Sequence, residues 1–160
     1  VIQREKKGKV KHDLNGSGPR LLIFGSRTLG DERVKKIILA AVNKYKAAVI
    51  VTAGEPGGAC QAARELCREF SIPLHLFYLN FKYLRGAYEH RSILCFKNCD
   101  QAIFIHDGKS KGTAGEIKLA KKMKIKFDYF KLDPLPIKKN KLKDEAWAKK
   151  MGYRFIGGMV

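Results

Sequence analysis

Between Pro19 and Leu132, short apolar runs alternate with segments of helical period, which restricts the chain to βαβ units wound around a parallel sheet. Five runs rich in Ile, Val, Leu and Phe read as strands, at residues 20–25, 48–53, 73–77, 101–106 and 125–130. The first four are apolar on successive residues, so both faces of the sheet are expected to be covered. Val34, Ile37, Ile38, Ala41, Val42 and Tyr45 recur at the spacing of one helical stripe. Ala59, Ala62, Ala63, Leu66 and Phe70 draw a second stripe, with small residues where a helix can approach the sheet closely. A third helix is expected from near Ala87, and a fourth carries Ile117, Ala120 and Met123 inward, with Thr113 as its cap. The expected fold is an open parallel α/β sheet of about five strands flanked by helices.

The expected organisation is a basic extension at residues 1–20, one domain at 21–132 and a basic tail at 133–160, with a short helix docking Trp147. The 33 Lys and Arg against 15 Asp and Glu give a formal charge of +18, which favours anionic partners. Half of that charge lies outside residues 21–130, so domain and tails can serve different partners, and nucleic acid on the tails is one expectation. The apolar runs fall short of the ~20 residues that span a bilayer, so no membrane segment is expected. Cys60, Cys67, Cys95 and Cys99 form neither a C-x-x-C pair nor a secreted disulfide framework. They read as packed thiols in a reducing compartment, hence a cytoplasmic location, and no metal site is expected.

In an open parallel sheet, ligands bind beyond the carboxyl ends of the strands, where the strand order reverses. Three loops there are glycine-bearing: Gly25-Ser26-Arg27, Gly54-Glu55-Pro56-Gly57-Gly58, and Asp107 to Thr113 with Gly108 and Gly112. A glycine loop feeding a helix start presents free N–H groups and a positive dipole end, a site for phosphate. Each loop by itself also reads as a tight turn. Neither G-x-x-x-x-G-K-[ST] nor G-x-G-x-x-G occurs here, which argues against an ordinary ATPase or a dehydrogenase, and no cofactor is expected. Thr113-Ala-Gly-Glu116 reads as a capping box. It also reads as a carboxylate placed beside a phosphate site, able to serve cleavage at a ribose C1′.

Phe24-Gly25-Ser26-Arg27 with Asp31, the loop Gly54 to Ala59, Arg85-Gly86-Ala87-Tyr88-Glu89-His90-Arg91, and Gly112-Thr113 occur in the order and setting of the SLOG superfamily. Over residues 21–132 the chain resembles that Rossmann-like group, which unites Smf/DprA proteins and LOG nucleotide phosphoribohydrolases, and it is most similar to the YspA-like branch. The resemblance implies a nucleotide or nucleotide-derived ligand near Gly25, Ser26, Gly54, Gly57, Gly58, Gly112 and Thr113. It also implies cleavage of an N-glycosidic bond by Arg91 and Glu116, and a homodimer through the helices flanking the sheet. The chain departs from the LOG pattern at Lys109-Ser110-Lys111, where paired glycines are usual, and from the YspA-like pattern at Cys60, where an acid is usual.

Arg27 and Arg91 read as anion contacts, and Glu55 and Asp107 as carboxylates that can reach ribose hydroxyls. Residues 77–85 interleave aromatics with basic residues, which suits either a base-stacking surface with Phe81 or Tyr83, or a loop packed over the sheet edge. His90 and His106 receive no role. Two other readings stay open: a non-catalytic single-stranded nucleic-acid module of the Smf/DprA type, and a nucleotide sensor or inhibitor.

Overall fold

The computed structural model describes residues 18–136 and residue 150; the expected tail helix around Trp147 lies outside the described residues. Five strands, β1 (Arg20–Gly25), β2 (Val49–Ala53), β3 (Leu74–Phe77), β4 (Gln101–His106) and β5 (Phe127–Lys131), form one parallel sheet in the order β3-β2-β1-β4-β5. Four α-helices connect them: α1 (Glu32–Tyr45), α2 (Gly58–Phe70), α3 (Ala87–Lys97) and α4 (Lys111–Lys122). The result is a Rossmann-like α/β arrangement. A short 3₁₀ helix, Phe81–Gly86, precedes α3.

The two faces of the sheet have separate cores. Val34, Ile38 and Ala41 of α1 and Ala59, Ala63 and Leu66 of α2 pack with Leu21, Ile23 and Ile50. On the other face, Cys95 and Phe96 of α3 and Ala120 of α4 pack with Leu22, Phe24, Val51 and Phe104. Phe24 lies edge-on to Phe96 at 5.7 Å between ring centroids, a favoured aromatic geometry. β1, β2 and β4 have nearly continuous buried runs because helices cover them on both sides. β5 is an edge strand with exposed positions and begins at Phe127, two residues later than its apolar pattern suggests.

Helix boundaries follow local hydrogen bonds. Asp31 caps α1, its carboxylate accepting from the Arg33 N–H at 2.9 Å. α4 differs from the capping-box expectation, because it begins at Lys111 with Ser110 at the N-cap, so Thr113 lies inside the first turn. The cause is Asp107, whose Oδ1 accepts from the N–H groups of Lys109 (2.8 Å) and Ser110 (2.7 Å) and starts the turn early. Of the cysteines, Cys60, Cys67 and Cys95 are buried; Cys99, beyond the end of α3, is half-buried and donates its thiol to the Phe96 carbonyl.

Close approach of backbone makes glycine obligatory at two places. A Cβ on Gly25 would lie 2.5 Å from the Ile105 carbonyl oxygen and 2.6 Å from the Ala59 Cβ. Gly58 has φ +68°, and a Cβ there would lie 2.5 Å from the Arg27 Cα and the Ser26 oxygen. Gly112 faces open space, with nothing within 4 Å. Gly25→Ala is therefore expected to cost about 3 kcal/mol through overpacking. Gly112→Ala should leave stability unchanged or raise it by about 0.5 kcal/mol. Urea unfolding of the two variants reads the difference.

Candidate functional site

β1 and β4 are neighbours in space, although β1 leads outward to β2 and β4 leads the other way to β5. The crevice at their carboxyl ends is the topological switch point where ligands bind in open α/β sheets. A network of hydrogen bonds stitches the two loops there. The Ser26 N–H extends the ladder to the Ile105 carbonyl at 2.9 Å, and the Ser26 hydroxyl accepts from the Asp107 N–H at 3.0 Å. Thr28 donates to Asp107 Oδ2 at 2.9 Å, and the Ser110 hydroxyl donates to the same oxygen at 3.0 Å. Burial opposes ionisation of Asp107, but the Lys109 and Ser110 N–H groups and the two hydroxyls outweigh it and hold its carboxyl well below the usual range. Asp107 is thus a fastener of the loops, with both oxygens already engaged.

His106 fastens the same corner. Its Nε2 lies 3.0 Å from the Ser110 carbonyl, which can only accept, and its Nδ1 lies 2.9 Å from the Tyr129 hydroxyl. These contacts set where α4 begins. The N–H groups of Lys111, Gly112 and Thr113 in its first turn find no acceptor among the described residues.

A cavity of about 400 Å³ opens at this point. Gly25, Ser26 and Arg27 reach it from β1, Glu55 from the loop after β2, Arg91 from α3, and Gly112, Thr113 and Glu116 from α4. Eight of the residues marked out by sequence therefore converge on one space. Gly54 and Phe81 line an adjacent cavity of about 350 Å³. Gly57 and Gly58 form the turn that starts α2, and the Gly57 N–H donates to Gln61. Tyr83 stacks on His90, with centroids 3.9 Å apart and planes at 21°.

The electrostatics centre on Glu55. Arg91 Nη1 lies 2.8 Å from its Oε1, and Arg27 Nη2 lies 2.5 Å from its Oε2. Glu55 raises the pKa of Arg27 through both charge and hydrogen bond. Arg91 is only 5% exposed, and its Nε has no partner among the described residues. A buried guanidinium edge without an acceptor costs free energy unless something else supplies one.

Glu116 is half-buried, and its carboxyl makes no hydrogen bond with any described residue. Burial lifts its pKa from the usual carboxylate range to about 8; Arg91 opposes the rise and Glu55 adds to it. A neutral carboxylic acid in a cavity that also holds Arg91 and a free helix N-terminus can donate a proton at neutral pH. The shift also couples to stability. Between pH 4.5 and about 8 the folded chain holds a proton that the unfolded chain releases, so this group's contribution to stability falls as pH rises through that window. Glu116→Gln should therefore match the parent's melting temperature at pH 4 and exceed it at pH 9, as read by calorimetry.

Tyr88, Ser92, Ser110 and Thr28 also line the cavity and were not singled out from the sequence. Tyr88 has a usable signal: it stands three residues before Arg91 on the same helical face, and the guanidinium sits 5.4 Å from its ring centroid. No family model, curated protein or solved structure matches this chain. Among the described residues, no helix is long and apolar enough to cross a membrane, and no cluster of three or more His, Cys, Asp or Glu side chains is placed to hold a metal ion.

Proposed function

We propose that the chain binds a nucleotide at the β1–β4 crevice and hydrolyses its N-glycosidic bond. The observation that carries this reading is one cavity holding a free helix N-terminus, a buried arginine with an unpartnered Nε, and a carboxyl group with a pKa near 8. Phosphate belongs at the first turn of α4, where N–H groups and the helix dipole converge. Ribose then lies between that turn and Glu116. As the C1′–N bond breaks, Glu116 donates its proton to the departing base and positive charge develops on the ribose. Water adds to C1′ and returns a proton to the Glu116 carboxylate, leaving free base and ribose phosphate. Arg91, held in place by Glu55, orients the ligand, and the resemblance to LOG-type enzymes at Arg91 and Glu116 points the same way.

The test is incubation with a panel of nucleoside 5′-monophosphates, with free base measured by chromatography. Release of base from at least one monophosphate, in preference to its nucleoside, is expected. Tight binding without any release would remove the catalytic half and leave a nucleotide-binding protein.

A second reading rests on α4 and the chain that follows it. Lys118, Lys121, Lys122, Lys124 and Lys126 are all exposed, and the acid within α4 is Glu116, which faces the cavity. Such a face suits a nucleic-acid backbone, and its affinity would fall steeply with salt.

A further inference from the structure

The nucleotide cavity has a neighbour that a mononucleotide does not need. On the far side of Arg27, Glu55, Tyr88 and Arg91, which line both spaces, lies the second cavity of about 350 Å³. Its other walls are Gly54, Pro56, Tyr78, Leu79 and Phe81. The first cavity, at about 400 Å³, already falls within the range of single small-molecule sites, ~300–1,000 Å³.

Two aromatic side chains, Tyr78 and Phe81, stand in the walls of the second space. Tyr78 lies against the backbone at Gly54, where a Cβ would come within 2.5 Å of its ring, so glycine is what admits the ring at this wall. Phe81 stands 75% exposed at the other side, an aromatic face with little protein over it. The wall between the spaces is cationic: two guanidinium groups share one carboxylate, Glu55, and the buried Arg91 Nε still lacks an acceptor. An anionic group on that wall would meet the exposed side of Arg27 and lie beside the Arg91–Glu55 pair. Anion-seeking features therefore occur twice, at the α4 N-terminus and at the arginine wall, with a ring-sized space beyond the second.

We propose that the ligand is a dinucleotide: one nucleotide unit fills the α4 cavity, a phosphate bridge rests on Arg27 and Arg91, and a second base stacks between Tyr78 and Phe81. This rests on the nucleotide reading above and extends it by naming the ligand class. The bridge is either a 3′–5′ phosphodiester or a 5′–5′ diphosphate, since both put phosphate charge between two ring systems.

Calorimetric titration of the full chain with AMP, with a 5′-phosphorylated adenylyl-adenosine dinucleotide, and with a 5′–5′ diphosphate-linked diadenosine tests the proposal. At least one dinucleotide is expected to bind tenfold or more tightly than AMP, and the stronger of the two identifies the bridge. Phe81→Ala, an exposed and fold-neutral change, should remove most of that advantage while leaving AMP affinity within twofold. Equal affinities for AMP and both dinucleotides, or an equal loss for all three in Phe81→Ala, would overturn the dinucleotide proposal and leave the nucleotide reading standing. Binding of none of the three would overturn the dinucleotide proposal for adenine ligands, and binding of no monophosphate in the panel as well would overturn both.

Discussion

Replacing Arg91 with methionine is expected to weaken nucleoside monophosphate binding by a hundredfold or more. Truncating one partner of a buried, hydrogen-bonded charge pair costs about 2–5 kcal/mol at a binding site, and each 1.4 kcal/mol is a factor of ten. Two effects add at this position. The cavity wall loses its buried positive charge, and Glu55 keeps only Arg27, which is exposed and screened by solvent. Methionine retains much of the aliphatic stem, so the packing beside Tyr88 is largely kept. Arg91→Lys should recover only part of the affinity, because an ammonium restores charge without the planar fork that serves Glu55 and a ligand together. Arg27→Met, at an exposed residue, should cost less than tenfold. Calorimetry of the three variants, with thermal unfolding of each without ligand, separates lost binding from lost fold; equal losses for Arg27→Met and Arg91→Met would contradict this account.

The largest expected effect on turnover is at Glu116. Removing a positioned general acid typically costs about 10²–10⁴ in rate, and Glu116→Gln should lose base release by that factor while binding nucleotide within a fewfold of the parent. The pH profile gives the independent sign. The working form is protonated, so activity should hold at neutral pH and fall as pH rises through about 8. An ordinary exposed glutamate acting as a base would show the opposite limb, rising through pH 4–5. A profile flat from pH 6 to 10 would show that the carboxyl does not titrate in the rate-limiting step.

Why these residues meet is largely legible in the sequence. Parallel strands put all their carboxyl ends on one edge, and Gly25, Glu55, Arg91 and Thr113, far apart along the chain, meet there. What a pattern of letters cannot carry is which of two physical reasons retains a glycine. Gly25 and Gly58 are needed to let β1 and the turn before α2 touch their neighbours, whereas Gly112 stands in open space at the cavity. All three look alike as letters.

The start of α4 shows the same limit in another form. Thr113 and Glu116 have the spacing of a capping box, yet Asp107 takes the N–H groups of Lys109 and Ser110 from outside the helix, and α4 begins at Lys111. That shift frees Glu116 from capping duty and leaves its carboxyl without a hydrogen-bond partner among the described residues. Glu55 differs too. Sequence placed it near ribose hydroxyls, and the fold gives its two oxygens to Arg27 and Arg91. Such pairings depend on side chains brought together across the sheet edge, and no local pattern encodes them.

A nucleotide in the β1–β4 crevice, with its phosphate on α4, binds through that phosphate. Titrating the protein with one nucleoside 5′-monophosphate and with its unphosphorylated nucleoside, at fixed salt, measures this directly. Saturable binding of the monophosphate, at least tenfold tighter than the nucleoside, is expected, with loss of that difference in Gly112→Pro, where the ring removes one N–H and crowds the first turn. Equal affinity for the two compounds, or no binding of any monophosphate in the panel, would contradict it.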